Sequence, residues 1–331
     1  KRLQDLPIEP SALITPEQRQ VLRDYCRNDL ATTGDAHRAM SAQLALREAM
    51  SAEYGIDLRS KSDAQIAGAV MKVLLPFKVV CPYIPPGTRF TYRPPEWLQF
   101  QSLDLLQQLA RMEFVINDKG SVSPPFAATF IDWGDDQIRM DPHGMWVKRP
   151  QGWITRQVRI GRTSYAVGIG GLHSMESKVC QVADADYELT DHDVRAYYPS
   201  LILATGIYPQ QIGVDFIRIY REWYMRRNAP GGAKDRSEDA SLSKAERVAA
   251  KKESNSLKTL LNAVFGHLGN MWSIFYAPSE MIQVTVGGQL MLLMLIEMLE
   301  ACGIQCVSAN TDGIVLRTHK SMVPLRNECI A

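Results

Sequence analysis

The chain of 331 residues is long enough for two or three packed units with sizeable cores. Its apolar content of 46% and charged content of 22% are those of an ordinary soluble globular protein, and they exclude a low-complexity chain. The formal charge of +1 gives no support by itself to nucleic-acid binding, and no second close cysteine pair accompanies Cys302 and Cys306 to complete a zinc site.

The N-terminal part predicts helices. Thr15 suits a helix N-cap, Pro16 the first turn, and Gln18 the capping-box position. Apolar residues at helical spacing predict a second helix over 36–54, and a shorter one over 60–76 has Ser62 as its cap. This part of the chain is therefore expected to be α-helical.

The next stretch, up to about residue 160, predicts a mixed α/β region. Nine prolines between residues 82 and 150 break helices, and short β-rich runs lie between them. We predict strands within 126–133, 153–160 and 164–169, and a helix near 95–112.

The second half predicts a strand that leads into a helix over 186–203, followed by a helical hairpin. Its helices cover 210–228 and 243–266, and a polar loop over 229–240 joins them. A helix over 279–301 precedes a β-hairpin with strands at 305–308 and 313–317 and its turn at 309–312. The apolar stretch 281–303 contains Gln283, Gln289 and Glu297, so it predicts a core helix rather than a membrane span.

Three segments of the second half could carry chemistry. Asp193 ends a strand before a helix, and Asp312 lies at a tight turn between two apolar strands. Lys258, Asn262 and Phe265 share one helix face, where a lysine could bind phosphate and an aromatic ring could lie against a base. Taken singly, each segment is explained equally well by a helix cap, a turn or a solvated helix face.

The charge is unevenly distributed. Residues 218–258 contain 11 lysines and arginines against 6 acidic residues, an excess of five. The nearly neutral total therefore hides a basic helical hairpin, which supports an anionic ligand, although a solvated surface would explain it too.

In this order, the three segments resemble motifs A, B and C of family B DNA polymerases, most closely the phage type. Asp193 is followed by Ala-Tyr-Tyr-Pro-Ser, Lys258 by Asn262-Ala and Phe265-Gly266, and Asn310-Thr-Asp312-Gly stands for motif C. The run from Gly168 to Ser174 is similar to the family's template-contacting Gly-Gly segment, and Tyr25 with Asp29 to its last exonuclease motif.

The resemblance implies an α+β fold. Its palm would hold an antiparallel sheet that carries the catalytic aspartates, and the fingers would be a helical hairpin. Residues 1–60 would form the C-terminal end of a ribonuclease H-like exonuclease domain, and 61–160 a mixed connecting region. The palm would span 161–207 and 267–331, the fingers 208–266, and the thumb would be absent. Because the chain begins with Lys and has only 19 residues after Asp312, we expect it to be part of a longer polymerase.

The resemblance also implies roles. Asp193, Asp312 and the Val194 carbonyl would bind two Mg²⁺ ions, and Lys258 would act in catalysis. Template contacts would come from Gly170, Gly171 and Gly266, and an incomplete exonuclease site from Tyr25 and Asp29. The nucleotide would be bound by Ala196, Tyr197, Tyr198 as the steric gate, Arg221, Arg226, Lys258, Asn262 and Phe265.

The implied partners are primer-template DNA and dNTPs, with replication accessory proteins as further candidates, in the cytoplasm of a bacterial host and without a membrane. Asn310 stands where the family has aspartate, but we expect activity to survive because Asp312 is the family's stronger metal ligand. We do not expect proofreading, since the chain begins too late for the first exonuclease carboxylates. Two other functions stay open: a 3′–5′ exonuclease, and a DNA-binding remnant without catalysis.

Overall fold

The computed structural model describes residues 5–102, 113–123, 138–140, 146–148, 156–168 and 170–330. The helices are α1 Gln18–Ala39, α2 Ser41–Tyr54, α3 Asp63–Leu74, α4 Tyr197–Thr205, α5 Asp215–Asn228, α6 Ala233–Glu238, α7 Lys244–His267, α8 Pro278–Ala301 and α9 Val323–Ile330. The strands are β1 Arg89–Thr91, β2 Glu113–Ile116, β3 Val122–Ser123, β4 Ile138–Met140, β5 Trp146–Lys148, β6 Arg156–Ile160, β7 Thr163–Val167, β8 His173–Ser174, β9 Tyr187–Asp193, β10 Gln305–Asn310 and β11 Gly313–His319.

The largest sheet has six strands in the order β6-β7-β8-β10-β11-β9, and its paired neighbours run antiparallel. Strands distant in sequence are therefore adjacent, because β9 pairs along β11, from His319 opposite Tyr187 to Gly313 opposite Asp193. The helices and antiparallel sheets together make a mixed α+β fold, which confirms the predicted class at that level.

Helix α8 forms the centre of the core. It packs against α4, β6 and β10, and Leu290, Leu293 and Ile296 are almost fully buried. By length and composition α8 could cross a membrane, but 67% of its most apolar window is buried inside the protein. This burial is typical of a core helix, in agreement with the prediction from its polar interruptions.

The N-terminal helices pack differently from one another. All residues of α1 stay at least partly exposed, whereas α3 buries Ile66, Val70 and Met71 and packs along α7. Ser62 caps α3 as predicted, and together with Gln65 it forms a capping box. At α1, Thr15 and Gln18 exchange the expected hydrogen bonds, although the helix itself begins at Gln18.

Several predicted boundaries were wrong. The helix predicted over 36–54 is divided at Met40, and the polar loop over 229–240 contains α6. Residues 95–102 are not helical; the amides of Gln101 and Ser102 donate instead to the Glu297 carboxylate on α8, at 2.7 and 2.9 Å. That long-range contact satisfies two backbone donors without a helix. The predicted strand over 126–133, and the rest of the helix predicted near 95–112, lie outside the described residues.

Candidate active site

The end of β9 and the β10–β11 turn bring the two predicted carboxylates together. Asp193 lies opposite Gly313, and the Val194 amide donates to the Asp312 carbonyl at 2.8 Å. A Cβ placed on Gly313 would lie 2.2 Å from Asp193 Oδ1, so only glycine leaves room for that carboxylate. Asp193 and Asp312 consequently line the same cavity, of about 900 Å³.

The other walls of this cavity come from the helical hairpin and the first turn of α4. Helix α7 contributes Lys258, Asn262 and Phe265, so the three side chains predicted to share a face do face one space with the carboxylates. Further lining residues are Val194, Arg195, Ala196, Tyr197, Tyr198, Pro199, Arg227, Lys234, Asp235, Glu238 and Leu261. A single space therefore combines acidic, basic and aromatic groups.

The backbone is unusual just after Asp193 and just before Asp312. Ala196 has φ of +50° and Thr311 has φ of +31°, in the left-handed region that non-glycine residues rarely adopt. Such conformations cost on the order of 1 kcal/mol each and persist only where the surrounding structure imposes them. Here they turn the chain sharply beside Asp193 and Asp312.

Gly171 supports the β10–β11 turn directly. A Cβ on Gly171 would lie 2.3 Å from Thr311 Oγ1 and 2.9 Å from Thr311 Cα, and the Thr311 amide donates to the Leu172 carbonyl at 2.7 Å. Glycine at this position therefore has a packing reason that is separate from the predicted template contact. Gly170 is exposed, with φ of +156°.

Gln289 of α8 fixes the segment that carries these glycines. Its side chain is 1% exposed, accepts from the Gly168 amide and donates to the carbonyls of Gly168, Gly170 and Thr285, at 2.6 to 3.0 Å. The segment thereby satisfies its backbone polar groups against the core helix. Sequence analysis had treated Gln289 only as an interruption of an apolar run.

We expect Gln289→Met to lower the free energy of unfolding by about 2–4 kcal/mol, because it leaves several buried backbone groups without partners. Urea denaturation followed by circular dichroism measures the change. Gln20→Met is the control, since Gln20 lies on the exposed helix α1 and bonds only Asp24 among the described contacts. Equal stability of the two variants would contradict the assigned role of Gln289.

The aromatic groups pair across the cavity wall. The rings of Tyr198 and Phe265 stack with centroids 3.8 Å apart and planes within 8°. Burial first, and then the nearby Asp312 carboxylate, raises the pKa of Tyr198 above its usual value. Tyr197 is buried, and its hydroxyl donates to the Gly288 carbonyl. Tyr197 thus anchors α4 to α8, while Tyr198 faces the cavity.

The predicted arginines and the cavity-lining arginines differ. Arg221 and Arg226 are not among the described residues that line the cavity, and Arg226 binds Glu53 and Glu253 at 3.1 Å instead. Arg227 lines the cavity, and burial, followed by the nearby Arg195, lowers its pKa. The expectation for Arg226 therefore lacks structural support. The net basic charge of the hairpin was the available signal, but it could not tell adjacent arginines apart.

The donor set suits magnesium. Two carboxylates and the carbonyl-bearing residue Val194 offer hard oxygen ligands on one side of the cavity. Magnesium is commonly held by one or two carboxylates, with substrate phosphates and water as its other ligands. Within the described ranges, no group of three or more His, Cys, Asp or Glu side chains forms a metal cluster. The residues present therefore fit a magnesium site that substrate completes.

The remaining predicted residues lie elsewhere. Tyr25 and Asp29 are one turn apart on α1; desolvation, followed by the hydrogen bond that the Tyr25 hydroxyl donates to the Asp29 carboxylate, raises the pKa of Tyr25. Neither residue lines the cavity. Gly266 lines a second cavity of about 450 Å³ on α7, which shares Lys258 and Asn262 with the first.

Comparison with known proteins gives a structural likeness but no match in sequence. No family model matches the chain. A search of curated proteins finds no match either. Among solved structures, the chain is similar to the family B DNA polymerase from the hyperthermophilic archaeon Pyrobaculum calidifontis, with 12% sequence identity and a TM-score of 0.42. The match covers 94% of this chain but about a third, 33%, of the other. A likeness at this level does not establish the function, which depends on the geometry of the cavity.

Proposed function

We propose that the chain is the palm and fingers part of a DNA-templated DNA polymerase of family B that extends a primer 3′-hydroxyl with dNTPs. The observation that carries the proposal is the convergence of Asp193 and Asp312 on one cavity opposite Lys258, Asn262 and Phe265. Carboxylates that face a cationic helix suit a metal-bound triphosphate.

In this proposal the six-stranded sheet with α4 and α8 forms the palm, and α5 to α7 form the fingers. Residues 1–60 and 61–160 keep the exonuclease-end and connecting assignments given above. We also retain a phage origin, primer-template DNA and accessory proteins as partners, and a host-cytoplasmic location as parts of the proposal.

Each wall of the cavity would have its own task. Asp193, Asp312 and the Val194 carbonyl would hold two magnesium ions, which would supply a lowered pKa at the primer hydroxyl and neutralise phosphate charge. Lys258, which lines the cavity, would bind the phosphates as a point charge and would give a proton to the leaving pyrophosphate. The stacked rings of Tyr198 and Phe265 would bound the base and sugar of the nucleotide.

Asn310 is relevant to whether the chain is a polymerase or a DNA-binding remnant without catalysis, because it stands where the family has aspartate. It is exposed on β10 and pairs with Gly313 and His173, and it is not among the described residues that line the cavity. The carboxylate pair at the cavity is Asp193 and Asp312, so the departure at Asn310 leaves both of these ligands in place. This favours a catalytic function.

Primer extension tests the proposal. The parent protein, an annealed primer-template, four dNTPs and Mg²⁺ are expected to give template-directed extension that EDTA stops. Extension whose product does not depend on the template sequence would reject the polymerase function. A folded protein that does not extend the primer would reject it too. Shortening of the primer without dNTPs would instead support the exonuclease alternative.

Tyr198→Ala is expected to raise ribonucleotide incorporation at least about tenfold relative to deoxyribonucleotides, because the ring that would exclude a 2′-hydroxyl is removed. Single-nucleotide kcat/KM values for dATP and ATP measure the ratio. Tyr198→Phe keeps the ring that stacks on Phe265 and should retain the parent's selectivity. An unchanged ratio in Tyr198→Ala would place the sugar elsewhere.

A further inference from the structure

An ion pair joins the proposed palm side of the cavity to the proposed fingers side. Arg195 follows the metal-site strand β9, and its Nη2 lies 2.9 Å from Asp235 Oδ1 on α6. The other oxygen of Asp235 accepts from the Gly231 amide at 3.2 Å. Both side chains remain nearly half exposed, and both line the cavity.

The charged groups of the cavity balance. Among the lining residues that the structure describes, the formal charges cancel, with four cations and four anions: Arg195, Arg227, Lys234 and Lys258 against Asp193, Asp235, Glu238 and Asp312. Two of the anions would be taken up by metal ions. The other two, Asp235 and Glu238, lie on α6 and would bind no metal ion in the proposed site.

The ion pair between Arg195 and Asp235 is of a kind in which another anion can replace the Asp235 carboxylate. Exposed ion pairs contribute little to stability, because water screens them and two long side chains must be ordered. Phosphate oxygens bind a guanidinium through strong, charge-assisted and often paired hydrogen bonds. An anion that enters the cavity can therefore displace the Asp235 carboxylate from Arg195 at small cost.

We propose that Asp235 is a resident counter-ion that holds Arg195 until the phosphates of an incoming nucleoside triphosphate displace it. This inference rests on the proposed polymerase function. Arg195 is thus a nucleotide-binding residue, and Asp235 a positioning residue that competes with the nucleotide. Asp235 weakens the binding of nucleotide and keeps the cavity neutral before the nucleotide enters.

The test measures nucleotide affinity in the full chain. Asp235→Asn is expected to lower the Kd for dATP about two- to fivefold, since the energy of an exposed ion pair corresponds to such a factor. Isothermal titration of dATP in the presence of Ca²⁺ gives Kd without turnover, and steady-state primer extension gives KM. Arg195→Ala is expected to raise both constants.

Two controls separate competition from general charge. Glu238→Gln removes one negative charge from the same cavity but leaves the ion pair between Arg195 and Asp235 in place, and it should change Kd less than Asp235→Asn. In an Arg195→Ala background, Asp235→Asn should have no further effect on Kd. Equal effects of Asp235→Asn and Glu238→Gln on Kd would overturn the proposed displacement of Asp235. An effect of Asp235→Asn that persists in the Arg195→Ala background would overturn it as well.

The remaining outcomes are also decisive. A lower melting temperature for Asp235→Asn, with Kd unchanged, would make the pair a structural link and reject the inference. If the parent extends primers but Kd is insensitive to Asp235, the inference alone fails. If the parent binds dATP with the predicted sensitivity but extends no primer, the polymerase function fails and the exchange stands. Absence of dATP binding rejects both.

Discussion

Replacing Asp312 by asparagine is expected to reduce primer extension about 10³-fold or more. The change keeps the size of the side chain but removes one of the two carboxylate charges that would hold magnesium in the proposed site. Charge stabilisation by a bound metal contributes several kcal/mol at a transition state, and each 1.36 kcal/mol is a factor of ten. Single-turnover extension of a labelled primer measures the loss.

Asp191→Asn is the matched control for this experiment. Asp191 lies on β9 two residues before Asp193, is exposed, and is not among the described residues that line the cavity. The same chemical change there should leave extension within about twofold and stability within about 0.5 kcal/mol. Similar activity of Asp312→Asn and the parent protein would reject the metal assignment, and with it the proposed function.

Gly171→Ala is expected to reduce extension by about 100-fold and to lower the free energy of unfolding by about 1–3 kcal/mol. The added Cβ would lie 2.9 Å from Thr311 Cα, so the backbone of the turn that carries Asp312 has to move. A displacement of about 1 Å at a reacting centre is enough for a loss of that size. Extension kinetics and urea denaturation measure the two effects on the same preparation.

A second substitution distinguishes this collision from loss of a template contact. Thr311→Gly removes the Oγ1 and Cβ atoms nearest to the new methyl group and relieves the positive φ of Thr311. The double variant should therefore regain part of the activity. Gly34→Ala, where the new Cβ meets only the Arg38 side chain at 3.6 Å or beyond, should be neutral or stabilising. Failure of Thr311→Gly to restore any activity would argue against the steric explanation.

Local sequence signals predicted many of the elements. Ser62 was predicted to cap α3 and does so, and the helix predicted over 243–266 is α7, which Ser243 caps; each serine forms a capping box with the residue three positions later. The β10–β11 hairpin also forms where turn residues separate two apolar runs, although its strands extend to Asn310 and begin at Gly313. These features depend on contacts between residues that are close in sequence.

Predictions failed where a distant partner decided the outcome. The segment after Pro95 is not helical, and Glu297, nearly two hundred residues away, accepts the amides of Gln101 and Ser102. Arg226 and Arg227 are neighbours on one helix, yet the first meets Glu53 and Glu253 while the second faces the cavity. Adjacent helical residues point about 100° apart, so the packing of the helix decides which one faces the site.

The sequence by itself determined the order of the chemical groups: an acidic strand end, a basic helix face and an acidic turn. Local periodicity and caps also predicted a mixture of helices and strands, while the α+β class was what the family resemblance implied. Only the tertiary structure decided that Asp193 and Asp312 share a cavity, that Gly171 must lack a side chain, and that Arg195 meets Asp235. These juxtapositions come from antiparallel pairing and helix packing between segments distant along the chain, which no short sequence pattern encodes.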